Sequence, residues 1–169
     1  MDSTRRLVII RHAKAEPYAA TDVERVLADR GRVEGRLLGE WLASAEVVPD
    51  RAFVSYAART RETWEVVAAG AGWTVEPVYD GNLYGTDEDG VLDLVRDLPD
   101  DVATVVVVGH NPTMGVLAQL LDDGEGAATG SVALGSFPTS TAAVFEVDGA
   151  WRDLAPMGGR LAAFHVARD

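Results

Sequence analysis

Apolar residues in this chain fall into two kinds of pattern. Leu7-Val8-Ile9-Ile10 and Val105-Val106-Val107-Val108 are continuous runs. Short unbroken runs rich in β-branched residues suit strands buried on both faces, as in a parallel sheet covered by helices. Between them the period lengthens. Val33, Leu37, Leu38, Trp41 and Leu42 fall on one helical face over Asp29 to about Ala45, with Trp41 facing the core. Further helices are predicted over about Ala58–Ala69, from Val91 to Leu98 before Pro99, and over about Thr113–Leu121. Asn111-Pro112 suits that last helix start, since asparagine caps and proline fits the first helical position. Shorter strands are expected at Arg51–Ser55 and Trp73–Val78. Strands alternating with helices imply an α/β fold.

The C-terminal third reads differently. Thr141–Val147 and Trp151–Leu154 look like a hairpin across Asp148-Gly149, with a further strand over Leu161–Val166 that carries His165 as a structural residue. Lys14–Ala28, Tyr79–Glu88 and the Gly-rich Asp122–Gly135 are expected loops. No repeat or linker interrupts the chain, so residues 1–169 are expected to form one domain.

The chemistry sits at the strand ends. The first run stops at Arg11-His12, and the second at Gly109-His110-Asn111-Pro112. In open α/β sheets ligands bind beyond the carboxyl ends of the strands. One such strand could simply end in a charged residue facing solvent. Two with a histidine at the same end, plus Arg59 at the start of the helix after Ser55, bring imidazoles and guanidinium groups to one rim. Arginine grips phosphate oxygens in a fork, and a helix N-terminus favours an anion. Neutral imidazole can attack as a nucleophile near pH 7. The residues alone leave open which histidine attacks.

Leu7–Ala13, the stretch Ser55-Tyr56-Ala57-Ala58-Arg59-Thr60-Arg61-Glu62-Thr63, and Gly109-His110-Asn111-Pro112 together resemble the histidine phosphatase superfamily, the phosphoglycerate mutase-like proteins. The short chain and Asp22-Val23-Glu24-Arg25 resemble its SixA branch of phosphohistidine phosphatases. The resemblance runs through nearly the whole chain. It implies a three-layer α/β/α sandwich with a mostly parallel central sheet and an antiparallel C-terminal edge. It implies His12 as nucleophile, forming a phosphohistidine that water hydrolyses, with Arg11, Arg59 and His110 holding the phosphoryl oxygens. Arg25, Ser55, Asn111 and Asn82 are the further candidates for substrate contact; Arg25 could instead pair with Asp22 and fix its loop.

Four positions depart from the family pattern. Tyr56 stands where proline is common and Glu62 where glutamine is common, neither in the catalytic set. Ala13 replaces a commoner glycine and could narrow the pocket. Asn82 falls where mutase-like relatives carry the carboxylate that donates a proton, with Asp80 as the possible substitute. The expected reaction is removal of phosphate from phosphohistidine on a protein, such as a histidine-containing phosphotransfer domain. The alternatives are a small-molecule phosphomonoesterase and, in another class, a phosphate-binding module without activity. The short stretch between Thr63 and Thr104 leaves little chain for a lid, which favours a protein substrate. Arg59 is expected at an exposed rim.

Composition narrows the partners. The chain has 169 residues, 47% hydrophobic and 25% charged, and a formal net charge of −12. So acidic a surface is repelled by nucleic acid and by anionic lipid. No apolar run is long enough for a membrane span, and no signal peptide is apparent, so a cytoplasmic location is expected; a monomer is the further expectation. With no cysteine there is neither disulfide nor thiolate chemistry. No cofactor and no metal are expected, because clustered ligand motifs are missing and arginines beside the histidines would repel a cation.

Overall fold

The computed structural model describes residues 4–132 and 136–169. It contains β1 (Arg5–Arg11), α1 (Asp29–Ser44), β2 (Arg51–Ser55), α2 (Ala58–Ala71), β3 (Val78–Asp80), α3 (Asn82–Gly85), α4 (Glu88–Arg96), β4 (Thr104–Gly109), α5 (Thr113–Leu121), β5 (Thr141–Val147) and β6 (Arg160–Val166). The strands form one sheet in the order β3-β2-β4-β1-β5-β6. The first four in that order run parallel, while β5 is antiparallel to both β1 and β6. The α/β architecture with a mostly parallel sheet and an antiparallel edge is as expected.

The two continuous runs explain the layering. Side chains alternate across a strand. Leu7 and Ile9 of β1, with Val105 and Val107 of β4, pack with Val91, Leu92 and Val95 of α4 and Leu117 and Leu121 of α5. Val8, Ile10, Val106 and Val108 face the other way, toward Leu38 and Leu42 of α1 and Trp64 and Val67 of α2. Both faces are therefore dry, and no polar residue interrupts either run.

Four expectations need correction. Trp151 does not begin a hairpin strand. It is fully buried in a 3-10 turn, its Nε1 donating to Val102 O at 2.8 Å, and the partner of β5 is β6 instead. The strand expected at Trp73–Val78 is displaced to β3, after Pro77, which has no N–H to give a ladder; Trp73 instead packs on Trp64 and donates to Val47 O. Val33 is 45% exposed, because α1 buries Gly31, Gly35 and Gly39 rather than a row of large side chains. A methyl at Gly39 would lie 2.1 Å from Val67 O, and one at Gly70 would lie 2.2 Å from Arg36 O, so α1 and α2 touch through backbone. The expected loop Tyr79–Glu88 holds the end of β3 and all of α3. The loop expected over Asp122–Gly135 extends beyond the described residues at positions 133–135. Among the described residues, no helix is long and apolar enough to cross a membrane.

Candidate active site

Register sets the site. β1 and β4 pair with Arg11 opposite Gly109, so His12 and His110 leave the sheet together, one step past the last rung. His12 N donates to Gly109 O, and His12 O accepts from Ser140 N, fixing that backbone from both sides. The two rings stand 5.5 Å apart. Arg11 comes from the last position of β1, and Arg59 from the first turn of α2. Thr63, one turn further on, accepts from Ala13 N at 2.9 Å and donates to Arg59 O at 2.7 Å, tying α2 to the end of β1. The structure thus brings Arg11, His12, Arg59 and His110 to one rim.

Burial controls the protonation of both imidazoles. His12 is 8% exposed. Its desolvation, with smaller contributions from His110, Arg59 and Arg11, lowers its pKa to about 3. Its Nδ1 lies 2.7 Å from Ala13 O. A carbonyl oxygen only accepts, so Nδ1 carries the proton and Nε2 the lone pair. His110 is lowered to about 4, by burial first and then by Arg59. Its Nε2 lies 2.8 Å from Ser55 Oγ, while its buried Nδ1 has no protein partner. Burial and Arg59 lower the Arg11 pKa as well. Two guanidinium groups converge on two neutral rings, an arrangement suited to an oxyanion.

Arg59 is not on an exposed rim: it is 6% exposed. Its Nη1 donates to Asp22 O at 2.9 Å and its Nη2 to Asp22 Oδ2 at 3.1 Å, while its buried Nε is unpartnered. Asp22 is the residue that sequence reasoning placed only in a loop. Its Oδ1 accepts from Arg25 Nε at 3.0 Å, and Oδ2 accepts from the Tyr84 hydroxyl. Tyr84 and the two arginines hold the carboxyl ionised, well below the usual carboxylate range. The Asp22 bond raises the Tyr84 pKa in return. The Tyr84 ring stands edge-on to His110 at 5.5 Å and to Tyr56 at 5.8 Å. Asp-x-x-Arg was visible in the chain, but its reach to Arg59 crosses 37 positions and has no local signature.

The other candidates have structural partners. Arg25 donates to Asp22 and to Glu16 O, which fixes the loop. Ser55 is fully buried beneath His110. Asn111 donates to Phe137 O and accepts from Gly115 N within α5. Asn82 is exposed, in a hollow with Asp80, Leu83 and Thr86, and Asp80 Oδ1 accepts its backbone N–H. The larger hollow beside His110, about 420 Å³, is lined instead by Tyr84, Asp87, Glu88 and Thr113 among others. The Ala13 methyl faces α1, about 3.7 Å from where a Gly35 methyl would stand. His165 stacks on Trp41 at 4.8 Å, away from the rim.

Residues 7–84 match the model of the histidine phosphatase superfamily, branch 1. An uncharacterized protein of Mycobacterium tuberculosis is 38% identical over 94% of this chain and 100% of its own length. The phosphohistidine phosphatase SixA of Escherichia coli is 30% identical, covering 71% of this chain and 76% of that protein. The solved structure of a SixA-type protein from Nakamurella multipartitia superposes with a TM-score of 0.84 at 32% identity, over 98% of this chain and 97% of that one. The chain belongs to the histidine phosphatase superfamily, in its SixA-type branch.

Proposed function

We propose that this phosphatase removes phosphate from phosphohistidine on a protein, through a covalent phosphoenzyme on His12. The observation that carries the reading is the pairing of His12 Nδ1 with Ala13 O, in a site whose burial keeps the ring neutral at ordinary pH. Nε2 is then a lone-pair nucleophile without any helper base. It attacks phosphorus, the bond from phosphorus to the substrate ring nitrogen breaks, and the electron pair leaves with that ring. Water then attacks phosphorus, the bond from phosphorus to His12 Nε2 breaks with its electron pair returning to that nitrogen, and the water's proton passes to a phosphate oxygen as inorganic phosphate leaves.

Phosphoryl transfer depends mostly on positioning and charge stabilisation. Arg11 and Arg59 meet the phosphoryl charge through their guanidinium groups. His110 donates from Nδ1, its other nitrogen accepting from the Ser55 hydroxyl. No metal or cofactor has a role in these steps. The chain between α2 and β4 holds only β3, the four-residue α3 and the nine-residue α4. An uncovered site of this kind admits a side chain presented by a folded protein, and the SixA relative of Escherichia coli carries the name phosphohistidine phosphatase. The single domain acts in the cytoplasm on a phosphorylated protein partner.

The test compares kcat/KM on a phosphohistidine protein, an aryl phosphate and an alkyl phosphate. An alkyl ester expels a basic alkoxide and needs a proton donor, whereas imidazole, with an ordinary pKa of about 6.5, does not. Preference for phosphohistidine is the expected result. Equal or better activity on the alkyl ester would transfer the site to small phosphomonoesters.

A further inference from the structure

Asp22 has bonding capacity left over. An ionised carboxylate offers about four acceptor sites. Three are engaged by side chains: Arg25 on its own loop, Arg59 from α2 and Tyr84 from α3. The fourth is unused, and the Asp22 side chain is 52% exposed while that of Arg59 is 7% exposed. Asp22 borders the site through its bond to Arg59 and through Tyr84, whose ring stands 5.5 Å from that of His110, itself 5.5 Å from His12. In an in-line displacement the leaving group stands opposite the nucleophile.

The other half of the argument is the way His12 itself is held. When Nε2 bonds to phosphorus, Nδ1 keeps its proton on Ala13 O. The enzyme thus holds phosphohistidine with the far ring nitrogen protonated and bonded to an oxygen. The incoming phosphohistidine needs the same arrangement in order to leave as neutral imidazole.

We propose that Asp22 is the specificity-determining residue of the site: its carboxylate accepts a hydrogen bond from the protonated far nitrogen of the substrate's phosphoimidazole ring. This rests on the phosphohistidine reading and deepens it. His12 Nε2 forms its bond to phosphorus as the substrate's phosphorus–nitrogen bond breaks. The electron pair stays on the departing nitrogen, and the proton remains on the far nitrogen beside Asp22. No proton crosses the site, so an acid at Asn82 is superfluous. An ester oxygen has no second ring nitrogen and gains nothing from this acceptor. The charged groups facing Asp22 are Arg25, Arg59 and, more distantly, His110, whose neutral ring adds no charge near pH 7.

The experiment uses the full chain and its Asp22→Asn and Tyr84→Phe variants. Substrates are a phosphorylated histidine phosphotransfer protein and 4-nitrophenyl phosphate, each across roughly pH 5.5 to 9, the range in which an imidazole titrates. An opposite charge a few ångströms away favours the protonated ring by about one pK unit or more. Asp22→Asn is therefore expected to lower the ratio of phosphohistidine to aryl kcat/KM about tenfold or more. It should also move the alkaline limb of the phosphohistidine kcat profile, which reports the bound ring, to lower pH. Tyr84→Phe retains the carboxylate and is expected to retain the ratio. In the unaltered protein, the limb of the kcat profile should lie above the titration of the free phosphohistidine ring, a measurement independent of any variant. Parallel losses on both substrates with an unmoved limb would make Asp22 a mere support for Arg59 and overturn the proposal. Absence of phosphohistidine hydrolysis in the unaltered protein would overturn the phosphohistidine reading along with it.

Discussion

Replacing His12 with asparagine tests the protonation argument without reference to any substrate. In the folded chain burial lowers the His12 pKa to about 3, whereas an exposed histidine titrates near 6.5. As pH falls below about 6.5, the unfolded chain takes up a proton at His12 and the folded chain does not. The unfolded state then binds more protons, so stability falls with falling pH. The slope for one such group approaches about 1.4 kcal/mol per pH unit. Between about pH 6.5 and 4.5 His12 should therefore account for a loss of about 2.3 kcal/mol, a large part of an ordinary domain's stability. His12→Asn keeps a side chain of similar size and removes the titration. Urea unfolding of both proteins at several pH values gives the result as a difference, in which the many shared carboxylates cancel. The stability advantage of the unaltered protein over the His12→Asn variant should shrink steadily below about pH 6.5. Curves that stay parallel down to about pH 4.5 would refute the claim that the folded site keeps this ring neutral.

Three further outcomes follow from the same geometry. His12→Ala should abolish an acid-labile, base-stable phosphoenzyme in rapidly quenched reactions; persistent label on that variant would move the nucleophile elsewhere. Arg59→Ala should reduce turnover by roughly two orders of magnitude or more, and it should also loosen the Asp22 loop, read as faster proteolysis between Glu16 and Leu27. Gly39→Ala sets a methyl against Val67 O and should cost about 1–3 kcal/mol by overpacking, less about 1 kcal/mol of improved helix propensity; an unchanged thermal midpoint would show that the helices separate freely.

The sheet was readable because its central strands obey a local rule. A run such as Val105–Val108 has no polar side, and only a strand covered on both faces suits it. The histidine positions followed, since each stands close behind such a run. What escaped were destinations set by distant partners. Trp151 resembles a strand residue until Val102 O is available to its indole. Val33 fits a helical face until glycines draw α2 toward another side of α1. Arg59 reads as a phosphate clamp on an exposed rim until Asp22 closes over it. The Asp22 carboxylate meets Tyr84 and Arg59 only because α3, α2 and the Asp22 loop converge in three dimensions, which no local pattern records.

The backbone contact between α1 and α2 acts as a mechanical stop. Helices padded by long side chains can slide by a rotamer's worth, but two that meet carbonyl to Cα cannot approach further. The stop seats α2, and the first turn of α2 carries Arg59. A methyl inserted at Gly39 or Gly70 is therefore a shim under a lever. It would tilt the far end of α2 and shift a guanidinium group with which it has no contact. Substitutions along this seam should alter turnover as well as melting temperature, so the tolerance of the phosphoryl pocket is set in part by the smallest residues on the opposite side of the helix pair.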